Sequence, residues 1–318
     1  MRVIVTGATG FLGRHLVKRL SEHPDIFTDI TTMSKSPIFS GCSPYSHRHY
    51  TCDLSFSDSE SPTFNMFRGI CRQHNPDIIF HLAGNAVPKL NEKDPHKIIN
   101  DNVIGTHKVV HFCPENCKVI LASSVIVYGD WLFSLDEEGS YTESHATHPV
   151  SVYGVSKLAS ENLLRSYISM GKCRGSILRL CATIGSGVTH GVIKDFIRKI
   201  NSNTDTLEVL GSHPGSTKPY CYISDAVEAF IRVALDKRED QIYNVVPDNS
   251  ISIEQVAQTV IDTMDVERDI KWLGEGSNWK GDNRIIRASN DKLKSIGWEP
   301  KYKNSSRSVA QAVLDMLT

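Results

Sequence analysis

The feature that most restricts what this chain can fold into lies in its first residues. Val3-Ile4-Val5 is a short β-branched run, and Gly7-Ala8-Thr9-Gly10-Phe11-Leu12-Gly13 follows it directly. That turn opens a stretch with Leu12, Leu16, Val17 and Leu20 on one helical face. A strand passing into a helix through glycines so spaced predicts a βα unit with backbone N–H groups exposed at the positive end of the helix dipole. Gly7 permits the tight turn, Gly10 lets a pyrophosphate approach the backbone, and Gly13 lets the helix pack close on the strand. Gly7, Thr9, Gly10, Phe11, Leu12 and Gly13 are therefore the expected cradle of a dinucleotide.

The alternation continues downstream. Strands are expected over 3–5, 30–33, 76–82, 118–123 and 176–181, with helices over 11–20, 103–112 and 155–170. Strands alternating with helices imply βαβ crossovers and an α/β fold, a Rossmann-type doubly wound parallel sheet. After about residue 182 the rhythm loosens, with helical stretches over 192–200, 226–235 and 253–264 among loops. The expected organisation is a dinucleotide-binding domain over 1–180 and a smaller, mixed substrate-binding lobe over 181–318, with segments interleaved. The Ser/Pro/His-rich stretch 34–49 is the expected mobile loop.

Composition removes several function classes. A net charge of −1 offers no electrostatic reason for nucleic acid or an anionic membrane as partner. No apolar run approaches the roughly 20 residues that span a bilayer. The first residues lack a secretory signal, so a cytoplasmic location is expected. The eight cysteines include no CxxC pair and read as free, mostly buried thiols. His107 and His111 stand four apart on a helix, but no third ligand is placed by sequence, so no metal site is expected.

The residue after the second strand discriminates between dinucleotides. A carboxylate there holds the ribose 2′-hydroxyl, whereas a basic or small residue admits a 2′-phosphate. Here the strand ends in Ser34-Lys35-Ser36, so NADP is favoured over NAD. Asp53, in Cys52-Asp53-Leu54, is a candidate adenine contact.

Tyr153 is followed four residues later by Lys157, a spacing that puts both on one helical face. A phenol has a pKa near ~10, and a neighbouring ammonium lowers it toward the working range of a general acid. The strand over 118–123 ends in Ser123-Ser124 at the carboxyl edge of the sheet, where ligands of open α/β folds bind. No GxSxG elbow surrounds either serine, which removes the nucleophilic-serine reading.

In this order, the glycine turn, His81-Leu82-Ala83, Asn102-Val103-Ile104-Gly105-Thr106, Ser123-Ser124-Val125-Ile126-Val127-Tyr128-Gly129 and Tyr153-Gly154-Val155-Ser156-Lys157 resemble the extended short-chain dehydrogenase/reductase family. Tyr222-Ile223-Ser224-Asp225 and Gly297-Trp298-Glu299-Pro300 extend the resemblance, which points to the epimerase/dehydratase group acting on nucleotide sugars. It implies Tyr153 as general acid/base and Lys157 as ligand of the nicotinamide ribose. It further implies Ser124 as partner of the substrate hydroxyl with Ser123 close behind, and Asn102 as a brace. Leu54, Leu82 and Ala83 would line the cofactor. Such proteins often form homodimers and bind the nucleotide diphosphate in the C-terminal lobe.

The departures from that pattern select among reactions. The family's 4,6-dehydratases carry an Asp-Glu pair directly after the catalytic hydroxyl residue; Val125-Ile126 stands here, and neither transfers protons. Ala182 falls where an asparagine commonly contacts substrate, and Lys218 replaces a usual arginine. Lys218 and Arg287 are the remaining candidates for the substrate phosphates. The expected activity is NADPH-dependent reduction of a nucleotide-linked 4-keto-(6-deoxy) sugar. An epimerase with resident NAD and a non-catalytic dinucleotide sensor are the alternatives.

Overall fold

The structure, a computed structural model, describes residues 1–37, 48–55, 62–86, 94–130, 139–202, 205–274 and 283–318. Most of the expected loop over 34–49 lies outside the described residues, and so does Cys42.

The chain begins β1 (Arg2–Thr6), α1 (Phe11–Ser21), β2 (Asp29–Ser34), β3 (Arg48–Thr51), α2 (Pro62–His74), β4 (Ile78–His81) and α3 (Pro95–Ile99). A π turn (Asn100–Ile104) leads into α4 (Gly105–Phe112), then β5 (Lys118–Ser124), α5 (Val152–Ser169) and β6 (Arg174–Leu180). There follow β7 (Ala182–Ile184), α6 (Val192–Asn201), β8 (Thr206–Val209), β9 (Thr217–Lys218), β10 (Tyr220–Tyr222) and α7 (Ile223–Leu235). The chain closes with β11 (Gln241–Val245), β12 (Ile251–Ser252), α8 (Ile253–Thr263), β13 (Asp269–Trp272), α9 (Asp291–Lys294) and α10 (Ser305–Leu317).

Seven strands form one sheet in the order β3-β2-β1-β4-β5-β6-β11. β1 pairs in parallel with both β2 and β4, and β2–β3 and β4–β5 are also parallel. β1 is buried from Val3 onward and β5 from Lys118 to Ser123, as a sheet with helices on both faces requires. The strand order reverses at β1, so the carboxyl ends of β1 and β4 flank the crevice where ligands of doubly wound sheets sit. This is the Rossmann-like α/β architecture that the alternation of strands and helices predicts.

The chain divides into two compact units. The first comprises Met1–Val127, Ser151–Arg179 and Val227–Tyr243, and the second Tyr128–Val150, Leu180–Ala226 and Asn244–Thr318. Ile4, Phe67, Ile79, Val119, Leu121, Leu164 and Ile177 form much of the first core. There the Lys118 ammonium, itself buried, closes the end of α7 with bonds of 2.6 Å to the carbonyls of Val233 and Asp236. Those orphan carbonyls at a helix C-terminus are where a cation is stabilised.

In the second unit α6 turns Ile193, Phe196, Ile197 and Ile200 to one side, the i, i+3, i+4, i+7 pattern of a buried helix face. They share a core with Val256, Val260, Val309 and Val313 of α8 and α10. Burying each such side chain is worth about 1.5–3 kcal/mol. Three two-stranded pairings, β7–β10, β9–β12 and β8–β13, complete the unit. Two motifs distant in sequence meet here. The Asp225 carboxylate accepts from the amides of Lys301 and Tyr302 at 3.0 and 2.9 Å, and Trp298 Nε1 donates to the Asp225 carbonyl at 3.0 Å. The Tyr222–Asp225 and Gly297–Pro300 motifs are thus one structural joint.

Candidate functional site

The glycine turn is shaped by steric necessity. Gly7 has φ +71°, and a Cβ there would lie 2.7 Å from the Ala83 nitrogen. Gly13 would place a Cβ 2.2 Å from the Gly7 carbonyl oxygen and 2.8 Å from Ala8 Cα. Those contacts let α1 start hard against β1 and bring the Leu82-Ala83 loop after β4 beside the turn. Leu82 N donates to Thr6 O at 3.2 Å and Ala83 N to Thr6 Oγ1 at 3.2 Å. Gly10 is the exposed N-cap of α1, with no side-chain cap and no acidic residue in the first turn. Thr9, Phe11 and Leu12 are half-buried around it. First-turn amides have no intrahelical acceptor, so this end can receive an anion.

Behind the turn His81 acts as a girder. Its Nδ1 lies 2.8 Å from Thr6 Oγ1 and its Nε2 3.1 Å from Thr106 Oγ1, while the Thr106 hydroxyl donates to Asn102 O at 2.6 Å. With the Thr106 proton committed, Nε2 must donate and Nδ1 accept, which assigns the neutral tautomer. Burial, followed by the Lys157 charge, lowers the His81 pKa to about 3, so the ring stays neutral.

Asn102 sits on the π turn and is buried. Its Nδ2 donates to Ser156 Oγ at 2.8 Å and to Asn85 O at 3.2 Å, and its Oδ1 accepts from Asn85 N at 2.7 Å. The amide thereby ties the loop after β4 to α5. Asn85 and Ser156 have no sequence signal beyond lying near matching motifs.

Helix α5 starts earlier than periodicity suggests, because Ser151 caps it by accepting from Gly154 N at 3.1 Å. Tyr153 and Lys157 consequently lie in its first two turns. Tyr153 is hydrogen-bonded to Ser124 and is 9% exposed. Lys157 donates to Ala122 O at 2.9 Å, its ammonium 5.9 Å from the centre of the Tyr153 ring. The expectation that the ammonium lowers the phenol pKa is corrected here. Burial dominates and pushes Tyr153 up to about 12, with the Ser124 hydrogen bond opposing. Burial likewise pulls Lys157 down to about 8, opposed by the Glu161 carboxylate one turn along.

Beneath these groups lies a buried cluster that sequence reading overlooked. Arg179 of β6 binds Glu161 through Nε at 3.0 Å and Nη2 at 2.7 Å, and Ser123 Oγ donates to the same carboxylate. Ser123 therefore faces Glu161. The clue was available in the sequence, since Glu161 continues the four-residue spacing of Tyr153 and Lys157.

At the far end of the crevice Lys35 is not the isolated cation that Ser34-Lys35-Ser36 suggests. Its ammonium lies 3.0 Å from Asp53 Oδ2 and 3.0 Å from Asp101 Oδ1, with Ser55 Oγ at 3.3 Å. Ser34 spends its hydroxyl proton on Ser36 O at 2.7 Å. Burial tends to raise the Asp53 pKa, but the Ser55 hydroxyl and amide and the Lys35 charge bring it below the ordinary value. Leu54 is buried beside this carboxylate.

The substrate candidates belong to the second unit. Lys218 is half-buried in β9, and the Arg287 carbonyl accepts from Tyr141 N at 2.8 Å. Ile286 N donates to Thr217 O at 2.8 Å, so the two candidates come from adjacent, paired segments. Val125 and Ile126 are 3% and 9% exposed in a 3₁₀ turn after β5.

His107 Nε2 and His111 Nδ1 each lie 3.3 Å from the Tyr167 hydroxyl, with the two imidazoles stacked. Among the described residues no group of three or more His, Cys, Asp or Glu side chains could hold a metal ion. The seven described cysteines are buried free thiols. Among the described residues no helix is long and apolar enough to cross a membrane.

A UDP-N-acetyl-alpha-D-glucosaminuronate decarboxylase of Bacillus cytotoxicus is 30% identical over 269 residues, 81% of this chain and 79% of the relative. A dTDP-4-dehydro-6-deoxyglucose reductase of Escherichia coli is 28% identical over 265 residues, 81% and 80% of the respective chains. Among solved structures, a UDP-galactose 4-epimerase superposes with a TM-score of 0.80 at 26% identity, covering 100% of this chain and 99% of that one. The description of the NAD dependent epimerase/dehydratase family matches residues 3–246, and the chain belongs to that family.

Proposed function

We propose that the protein reduces a nucleotide-linked 4-keto-(6-deoxy) sugar, with NADPH as donor, Tyr153 as general acid and Ser124 as hydrogen-bond partner of the substrate oxygen. The observation that carries the reading is the acid–base inventory after β5. One phenol, kept protonated by its burial, is bonded to a serine hydroxyl, and Val125 and Ile126 stand where elimination would need a proton-transfer pair. Likeness to a dTDP-4-dehydro-6-deoxyglucose reductase is consistent with it.

The residues present fit a dinucleotide. The Gly7–Gly13 turn has no room for a Cβ at either end and leaves the α1 N-terminus uncapped. At Gly84 a Cβ would come within 2.6 Å of Asn102 Oδ1 and 3.5 Å of Lys157 Nζ, so glycine keeps the space beside those groups clear. A bound nicotinamide would supply the hydride for the ketone carbon. The chain's own part is the proton: Tyr153 Oη gives it to the carbonyl oxygen as that oxygen becomes an alkoxide, while Ser124 Oγ–H stabilises the developing charge. Lys157 orients the ribose end of the site and places positive charge beside the phenolate that remains. Asn102 and His81 fix the loops that bear these groups. Lys218 and Arg287 are proposed to meet the substrate phosphates, with the first unit as dinucleotide domain and the second as substrate lobe. A homodimer in the cytoplasm completes the reading.

An epimerase with resident NAD is the second reading, favoured by the likeness to UDP-galactose 4-epimerase. Mixing purified protein with NADPH and dTDP- or GDP-linked 4-keto-6-deoxy sugars separates the two. Stoichiometric NADPH oxidation supports reduction. No oxidation with any such ketone, together with epimerisation of a nucleotide hexose, would replace it with the second reading.

A further inference from the structure

We propose that Asp101 sets how strongly the protein distinguishes NADPH from NADH, by holding the Lys35 ammonium back from the 2′ position of the adenosine ribose. The inference rests on the dinucleotide reading above and assigns a specificity role to a residue outside the glycine turn and the β2 terminus.

An ammonium has three donors, and among the described residues Lys35 has three partners: Asp53 at 3.0 Å, Asp101 at 3.0 Å and Ser55 at 3.3 Å. A 2′-phosphate can recruit Lys35 only by displacing one of them. Of the two carboxylates, Asp53 is anchored independently by the Ser55 amide and hydroxyl at 2.9 and 2.7 Å. Asp101 is anchored from the other side. Its Oδ2 lies 3.2 Å from Lys97 Nζ and 3.4 Å from Asn85 Nδ2, and its side chain is 13% exposed against 46% for Lys35. The carboxylate is thus the fixed partner and the lysine the movable one. Burial works against the Lys35 charge, yet the bonds to Asp101 and Asp53 carry its pKa above the ordinary lysine value. Two ammonium and two carboxylate groups balance in charge, so the cluster tempers the pull that Lys35 alone would exert on a 2′-phosphate without abolishing it. The π turn makes this possible: consecutive residues serve two places, Asp101 on Lys35 and Asn102 on Ser156.

The experiment is titration of NADPH and NADH, read by nicotinamide fluorescence at fixed ionic strength, into the wild type, Asp101→Asn, Lys35→Gln and the double variant. Asp101→Asn is expected to tighten NADPH by about fivefold, the factor corresponding to about 1 kcal/mol for a partly exposed ion pair, and to leave NADH nearly unchanged. Asp101→Ser, which also gives up the bonds to Asn85 and Lys97, must move the ratio the same way if Asp101→Asn does not fold. In the Lys35→Gln background the gain must largely vanish. If the wild type binds both dinucleotides and neither Asp101 variant changes their ratio, the proposal falls while the dinucleotide reading stands. A gain that persists in full without Lys35 also overturns it, because simple removal of negative charge would then be the cause. If the wild type binds neither dinucleotide, both fall together.

Discussion

Replacing Glu161 by glutamine tests how the buried cluster under the site supports both stability and chemistry. The Glu161 and Arg179 side chains are 2% and 4% exposed and share a two-pronged contact, with Ser123 as a third partner. Removing one charge from such a pair leaves the other buried and uncompensated, which costs about 3–5 kcal/mol. Replacing both by apolar residues of similar volume removes the charge problem and is often near neutral. The expected order of stability is therefore wild type, then Glu161→Leu with Arg179→Met, then Glu161→Gln alone. Urea unfolding followed by far-UV circular dichroism reads it. The chemical consequence runs through Lys157, whose ammonium loses the one carboxylate that opposes its desolvation. Its pKa must move further down, and the alkaline limb of the rate profile must move to lower pH with it. A Glu161→Gln protein destabilised by less than about 1 kcal/mol, or an apolar double variant no more stable than the single one, would refute the reasoning.

Four further outcomes follow from the same geometry. Tyr153→Phe should lower the turnover rate by about 10²–10⁴ while leaving dinucleotide affinity unchanged, since the phenol supplies a proton and not the cradle; stopped-flow and equilibrium titration separate the two. The wild-type reductive rate should decline above about pH 8, because Lys157, held at about 8, loses its charge there while Tyr153, at about 12, stays protonated. The sign for stability is opposite: from about pH 8 to the ordinary lysine value of 10.5 the unfolded chain binds more protons at this residue, so its contribution to stability rises with pH. Gly13→Ala should weaken dinucleotide binding more than tenfold and cost about 1–3 kcal/mol, because its Cβ meets only backbone atoms that cannot step aside.

The parts of the fold visible in the sequence were those with strong local signals. β1, β4 and β5 are continuous apolar runs, and the glycine turn is a steric requirement written into residue type. Elements held by tertiary context left weaker traces. β3 (Arg48–Thr51) carries Arg, His, Tyr and Thr with no apolar alternation; pairing with β2 makes it a strand. Among the described side chains of α2 the buried set is Phe67, Ile70, Cys71 and His74, a pattern too short and too mixed in polarity to stand out. In α10 small residues, Ser305, Ser308 and Ala312, are buried with Val309 and Val313, so hydrophobicity alone understates the buried face.

The site divides in the same way. Tyr153 and Lys157 stood out because their spacing belongs to one helix, Ser124 because it ends a strand, and Asn102 only through the family resemblance. The direction of the Tyr153 shift was not, since it depends on burial and not on which charge lies near. Lys35 looked like an open phosphate site because its two carboxylates come from distant positions, Asp53 and Asp101. Charge partners across 18 and 66 residues leave no mark on a local motif.

The most direct measurement is a single-turnover reaction with NADPH deuterated at nicotinamide C4 on the transferred face. It is run on dTDP-4-keto-6-deoxyglucose in water, and the sugar product is analysed by mass spectrometry and NMR. Deuterium is expected at C4 of the sugar, with one NADP⁺ formed for each alcohol and loss of the transfer in Tyr153→Phe. Recovery of the ketone unlabelled with NADPH intact, or a C4-inverted hexose produced without net consumption of dinucleotide, would contradict the reductive reading.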